Sequence, residues 1–206
     1  MITGNAGAQG AVSTAEWLQT HSREDSPEGA VFFHAPSFAF QAPGGGENQL
    51  VQTGRSLEDK GVSVRLFAPW TDQIGRARLL HLFGMSREGL ELARVANRRG
   101  VPVILSPICW FEPRAIWTLE PTLAVKTAGL ARWGLRRAMP RLGSWRKSLL
   151  DIADAVLPNS AAEARQLRRL FGTDPRKIHV VPNGVSEHFA HANPELFRAE
   201  YGDHDF

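Results

Sequence analysis

The chain has 206 residues, 43% hydrophobic and 22% charged, with a mild formal net charge of +3. That is room for one good-sized core and an ordinary globular composition. A single cysteine, Cys109, excludes an internal disulfide framework and fits a reducing compartment. No apolar run reaches the roughly 18 residues that a spanning helix needs, and no basic region followed by an apolar stretch marks a secretory signal. The expectation is a cytoplasmic protein, free or peripheral on the inner face of a membrane.

Residues 1–28 are rich in Gly, Ala, Ser and Glu. Ala15-Glu16-Trp17-Leu18 can form a helical turn, but no long pattern holds it, so a mobile leader is expected. From Ala30 on, apolar runs alternate with helical spacing. Ala30-Val31-Phe32-Phe33 reads as the first strand. Pro43-Gly44-Gly45-Gly46-Glu47-Asn48 follows, then a helix from Gln49 to Lys60 with Leu50 and Leu57 a heptad apart. Gly61 suits a helix end, and Val62 to Phe67 reads as the second strand. Leu79 to Phe83 is the third, closed by Gly84. A helix over about 87–99 precedes the fourth strand, Val101 to Leu105. Apolar strands joined by helices indicate a parallel sheet covered on both faces.

Residues 111–150 break this rhythm. Pro113, Pro121 and Pro140 divide them into short helices, and Trp110, Trp117, Trp133 and Trp145 lie in or beside them. Between Pro121 and Leu150 stand Lys126, Arg132, Arg136, Arg137, Arg141, Arg146 and Lys147, with no acid. The alternation then resumes. Ala155-Val156-Leu157 is a strand, Ser160-Ala161-Ala162-Glu163 a capping box, and the helix behind it runs to about Phe171 and stops at Gly172. Ile178 to Val181 reads as the last strand, Pro182-Asn183-Gly184 as a turn, and residues 194–201 as a final helix. The domain is assigned to residues 29–185, with 186–206 a linker and helix leading onward.

The glycine turn is the main candidate site. Glycines let backbone N–H groups approach a ligand, and the next helix points its positive end at the same spot. A structural use at a βα turn is the alternative. The turn is not a dinucleotide fingerprint: Gln49 stands where the third glycine belongs, and the second strand ends without a ribose-binding acid. No Lys-Ser/Thr pair follows, which excludes a phosphate-clamping NTPase loop. Glu47 repels a phosphate but can accept from a hydroxyl, which favours a sugar or a mixed sugar and phosphate ligand. His81 is read as ending a strand at the carboxyl edge of the sheet, as a substrate contact or a satisfied strand-end histidine. His188 and His191 lack a third ligand, so no metal is expected. Cys109 has no nucleophile turn around it and reads as buried and inert. The basic, tryptophan-bearing segment is open to three readings: a solvated face, a membrane-surface contact, or nucleic-acid binding, for which no module is present.

Four landmarks in order make the chain resemble the N-terminal half of a family 4 glycosyltransferase, a retaining enzyme of two Rossmann-like domains (GT-B). They are Pro43 to Glu47, the passage Leu57 to Val64, the passage Asp151 to Ser160, and Ile178 to Val185, together covering about residues 30–200. The resemblance implies a single Rossmann-like α/β domain with a mostly parallel sheet. It implies transfer of a sugar from a nucleotide-sugar donor to a sugar or lipid-linked acceptor. No cofactor, metal or nucleic-acid partner is expected. In that family the N-terminal domain holds the acceptor, and its glycine turn faces the donor phosphates. The matching positions are Gly44, Gly45, Gly46 and Glu47, with Ser160 at a cleft-facing strand end and Asn183 and Gly184 at the linker. His81 is added as a substrate contact, and Arg132, Trp133, Arg136 and Arg137 as membrane or acceptor contacts. Many members carry a histidine just past the fourth strand, where this chain reads Ser106-Pro107-Ile108-Cys109, so that histidine has no counterpart. The family's donor domain would begin just after Tyr201, which leads to the expectation of a domain inactive by itself. The alternative is a non-catalytic sugar- or lipid-binding module docked on anionic membrane through the basic segment.

Overall fold

The computed structural model describes residues 14–21, 29–41 and 43–185, together with Glu195, Arg198 and Gly202. Residues 186–194, which include the pair His188 and His191, and the rest of the expected final helix apart from Glu195 and Arg198 lie outside the described residues. The apolar runs form five strands: β1 (Val31–His34), β2 (Val64–Leu66), β3 (Leu79–Phe83), β4 (Val103–Ser106) and β5 (Ala155–Val156). They form one sheet in the order β2-β1-β3-β4-β5, and every pair is parallel. Seven α-helices accompany them among the described residues: α1 (Thr14–His21), α2 (Gly45–Glu58), α3 (Arg87–Arg98), α4 (Pro113–Leu119), α5 (Leu123–Ala138), α6 (Trp145–Ile152) and α7 (Ala161–Phe171). The expected single Rossmann-like α/β domain is what the chain forms.

Side chains alternate across the sheet, and each face has its own core. Phe32, Leu80, Leu82, Val103, Leu105 and Val156 pack with Leu90 and Ala93 of α3, Leu149 and Leu150 of α6, and Leu167 and Leu170 of α7. On the opposite face Val31, Phe33, Val64 and Phe83 pack with Leu50 and Val51 of α2 and with Trp17 of α1. Full burial of each large aliphatic contributes about 1.5–3 kcal/mol, which is why apolar-throughout strands demand helices on both sides.

Three expectations shift. The presumed leader contains α1, and Trp17 is only 3% exposed. Its indole N–H donates to Glu58 at 3.0 Å, and His21 stacks on its ring at 4.1 Å. A contact partner some forty residues away holds this helix, which local pattern could not reveal. The run from Ile178 to Val181 is an extended edge, not a sixth strand. Ile178 bridges Val156, and the N–H groups of His179 and Val181 donate to the carbonyls of Val156 and Pro158. Finally, Gly45 and Gly46 belong to a helix rather than a loop, because α2 begins at Gly45 with Gly44 as its N-cap.

Candidate functional site: the carboxyl edge of the sheet

In the order β2-β1-β3, the connections leaving β1 and β3 run to opposite faces. Open parallel sheets take ligands in the crevice at such a switch point. Here the N-terminus of α2 flanks it from one face and that of α3 from the other. Both helices follow their strands, so both point free N–H groups and positive dipole ends toward this edge.

Gly44 is the N-cap of α2, and Gly45, Gly46 and Glu47 form its first turn. The first intrahelical bond runs from the Asn48 N–H to the Gly44 carbonyl. Glu47 reaches back to accept the Gly44 N–H at 2.7 Å, so one of its carboxylate oxygens already has a donor. None of the three glycines has a positive φ. An added Cβ at Gly45 would meet nothing within 4 Å, and one at Gly46 would lie 3.5 Å from Ile108. Neither backbone conformation nor internal packing explains a glycine at 45. The bare N–H groups of the first turn are the remaining physical consequence.

Sequence reasoning passed over His34, because the first apolar run was ended at Phe33. His34 is the last residue of β1, centred on the switch point and 6% exposed. Its Nε2 is buried without a hydrogen-bond partner, and Glu88 Oε1 on the first turn of α3 stands 4.0 Å away. Burial pushes its pKa down and Glu88 pulls it partly back. Buried polar atoms are nearly always bonded, so an imidazole nitrogen with no hydrogen-bond partner among the described residues makes His34 a candidate site residue. The available signal was a histidine directly following an apolar strand.

His81 is placed differently from the expectation. It occupies the middle of β3, not its end, and is 6% exposed. Its ring stacks on Phe83 at 4.1 Å and meets Phe33 edge-on at 5.3 Å. Its Nε2 pairs with Ser106 Oγ at 2.9 Å, and burial lowers its pKa to about 3. It is a neutral, satisfied histidine beneath the edge.

The loop after β4 ties the edge together. Ile108, where the resembling family has its histidine region, has φ 46°, a left-handed conformation that is strained for a β-branched residue. Its side chain packs in the α2-side core. Next to it, the Cys109 N–H donates to Glu163 Oε1 at 2.9 Å, and the Asn159 N–H donates to Oε2 at 2.9 Å. The capping box is therefore half as expected. Ser160 Oγ accepts the Glu163 N–H at 3.1 Å, but the buried carboxylate fastens two loops instead of returning to Ser160. Burial, with Glu163 adjacent, holds the Cys109 thiol well above its ordinary range, so it is a protonated packing group. Ile108 thus lies beside Gly46 at the start of α2, and Cys109 is tied through Glu163 to Asn159 and Ser160. Asn183 and Gly184 are exposed beyond the edge segment that follows β5.

The basic segment splits in two. Trp133 turns inward, and its indole N–H donates to the Phe111 carbonyl at 2.7 Å. Arg136 also turns inward, lying over Phe171 at 5.4 Å and donating to the Leu142 carbonyl at 2.7 Å. Arg132 and Arg137 are exposed. A concavity lined by Met139, Pro140, Arg141, Leu142 and Gly172 lies at the C-terminal end of α5. No group of three or more metal-ligating side chains occurs among the described residues. No helix among them is long and apolar enough to cross a membrane.

A family model for a glycosyl transferase 4-like domain matches residues 73–184, more than half of the chain. The match begins after the glycine turn and takes in β3, β4 and β5. A stretch of 96 residues is 33% identical to a D-inositol 3-phosphate glycosyltransferase of Acidothermus cellulolyticus, covering 46% of this chain and 18% of that protein. The matched stretch is thus less than a fifth of the relative's length.

Proposed function

The chain belongs to the glycosyl transferase 4-like family, and from that premise we propose that its switch-point crevice holds the acceptor for sugar transfer from a nucleotide-sugar donor. The observation that carries this reading is the orphaned, buried Nε2 of His34 facing Glu88 between two helix N-termini. In the proposed complex His34 and Glu88 bind acceptor hydroxyls. His34 can donate or accept according to its tautomer, and Glu88 accepts. The N–H groups of Gly45, Gly46 and Glu47 face the donor phosphates, and Gly44 sets the start of that turn. Ser160, Asn183 and Gly184 line the far side toward the donor. His81 supports the site from beneath through Ser106.

The transfer is proposed to be retaining, by resemblance. It needs electrophilic donors at the leaving diphosphate as charge builds there. The proposal places those donors on a second, donor-binding domain.

The relative's name suggests a phosphorylated cyclitol as the first probe. D-inositol 3-phosphate and free inositol should be titrated calorimetrically into the protein and into His34→Ala and Glu88→Gln. Saturable binding weakened about tenfold in both variants is expected, since each removes a hydrogen-bonding group from the proposed acceptor contacts. Equal binding in all three proteins would remove the crevice from the reading.

A further inference from the structure

We infer that the exposed surface of α4 and α5 is a docking surface for an anionic lipid bilayer. This rests on the two helices themselves and not on the transfer reading. Helix α5 buries none of its residues. Its partly covered positions, Lys126, Gly129, Leu130, Trp133 and Arg136, recur every three or four residues and face the domain. Gly129 lets α4 approach closely, for an added Cβ there would lie 2.7 Å from Ile116.

The rest of its surface carries exposed apolar side chains. Leu123 is 67% exposed and Leu135 44%, and Met139 at the C-cap is 48% exposed, with exposed alanines between them. Arg132 and Arg137 are the exposed cations on the helix. Arg137 lies over the Trp133 ring at 5.9 Å, and neither arginine forms an ion pair among the described residues. At the adjoining end of α4, Leu119 is 81% exposed. Trp117 is 49% exposed, with the Lys126 ammonium 5.2 Å from its ring centre.

Exposed leucines on two adjoining helices, a half-exposed tryptophan and nearby cations match the layering of a bilayer interface. Charge selects the occupant. Residues 121–150 contain no acid, so a second copy seated on this face would set cations against cations, whereas an anionic headgroup layer complements them.

The test is co-sedimentation of the whole 206-residue chain with phosphatidylcholine vesicles, with and without phosphatidylglycerol. Salt-sensitive partitioning onto the anionic vesicles is expected. Arg132→Glu with Arg137→Glu should weaken it by about tenfold or more, and so should Leu123→Ser with Leu135→Ser. All four positions are exposed, and circular dichroism confirms that the variants fold. Arg98→Glu with Arg99→Glu, an equal charge change on α3, should leave partitioning nearly intact. Absence of anionic-vesicle binding overturns the inference, as does equal loss in the α3 control. A concentration-dependent dimer that the leucine changes dissolve, without vesicle binding, also overturns it and makes a second copy the occupant.

Discussion

At the scale of single residues, His34 and His81 show how position along one sheet changes a side chain's task. His81 lies two residues short of the end of β3, capped by Ser106 and walled by two phenylalanines. His34 ends β1 and keeps one nitrogen unmatched. The protonation of His81 gives a direct prediction. In the unfolded chain a histidine takes its proton near pH 6.5, whereas folded His81 refuses it until about 3. Between those values the unfolded state binds the extra proton, so folding stability falls as pH falls. The slope contributed is up to about 1.4 kcal/mol per pH unit. Urea denaturation of the protein and of His81→Gln at several values in that window should show a shallower slope in the variant. Parallel slopes would mean that His81 is protonated in the folded state.

Among the elements, α1 and α2 depend on each other. Gly54 of α2 is the seat of Trp17, and an added Cβ would come within 2.3 Å of the indole ring. Gly54→Ala gains intrinsic helix propensity of about 1 kcal/mol but forces the ring away. Overpacking of this kind costs about 1–3 kcal/mol. The expected net result is release of α1 with little damage to the sheet. It would be read as a red-shifted Trp17 fluorescence component and faster proteolysis ahead of β1, with the global urea midpoint nearly kept. Trp17→Ala should release the same helix by removing its anchor. An unchanged proteolysis pattern in both variants would mean that α1 is held by something else. Helices α4 and α5 are the contrasting case: they were legible from their prolines and spacing, yet they bury nothing of their own. Pattern showed that these helices exist, but not which face would stay bare.

For the whole molecule, the proposed division of labour predicts no sugar transfer from nucleotide sugars by the 206-residue protein alone, and turnover once a separately expressed donor-binding domain is added. Robust turnover without that addition, measured by release of the nucleoside diphosphate, would end the proposal. The sequence by itself determined the α/β class, the parallel sheet, all five strands to within two residues, the proline-divided helices and a glycine turn ahead of a helix. Each follows from interactions between near neighbours: hydrophobic period, caps and breakers. The tertiary structure alone decided which histidine stands at the edge, that Trp133 and Arg136 turn inward, that Glu163 clasps a loop 54 residues away, and that Trp17 has a seat. Those outcomes depend on strand register and on partners distant in the chain, where shifting a strand by one residue exchanges its faces, and no local pattern encodes that choice.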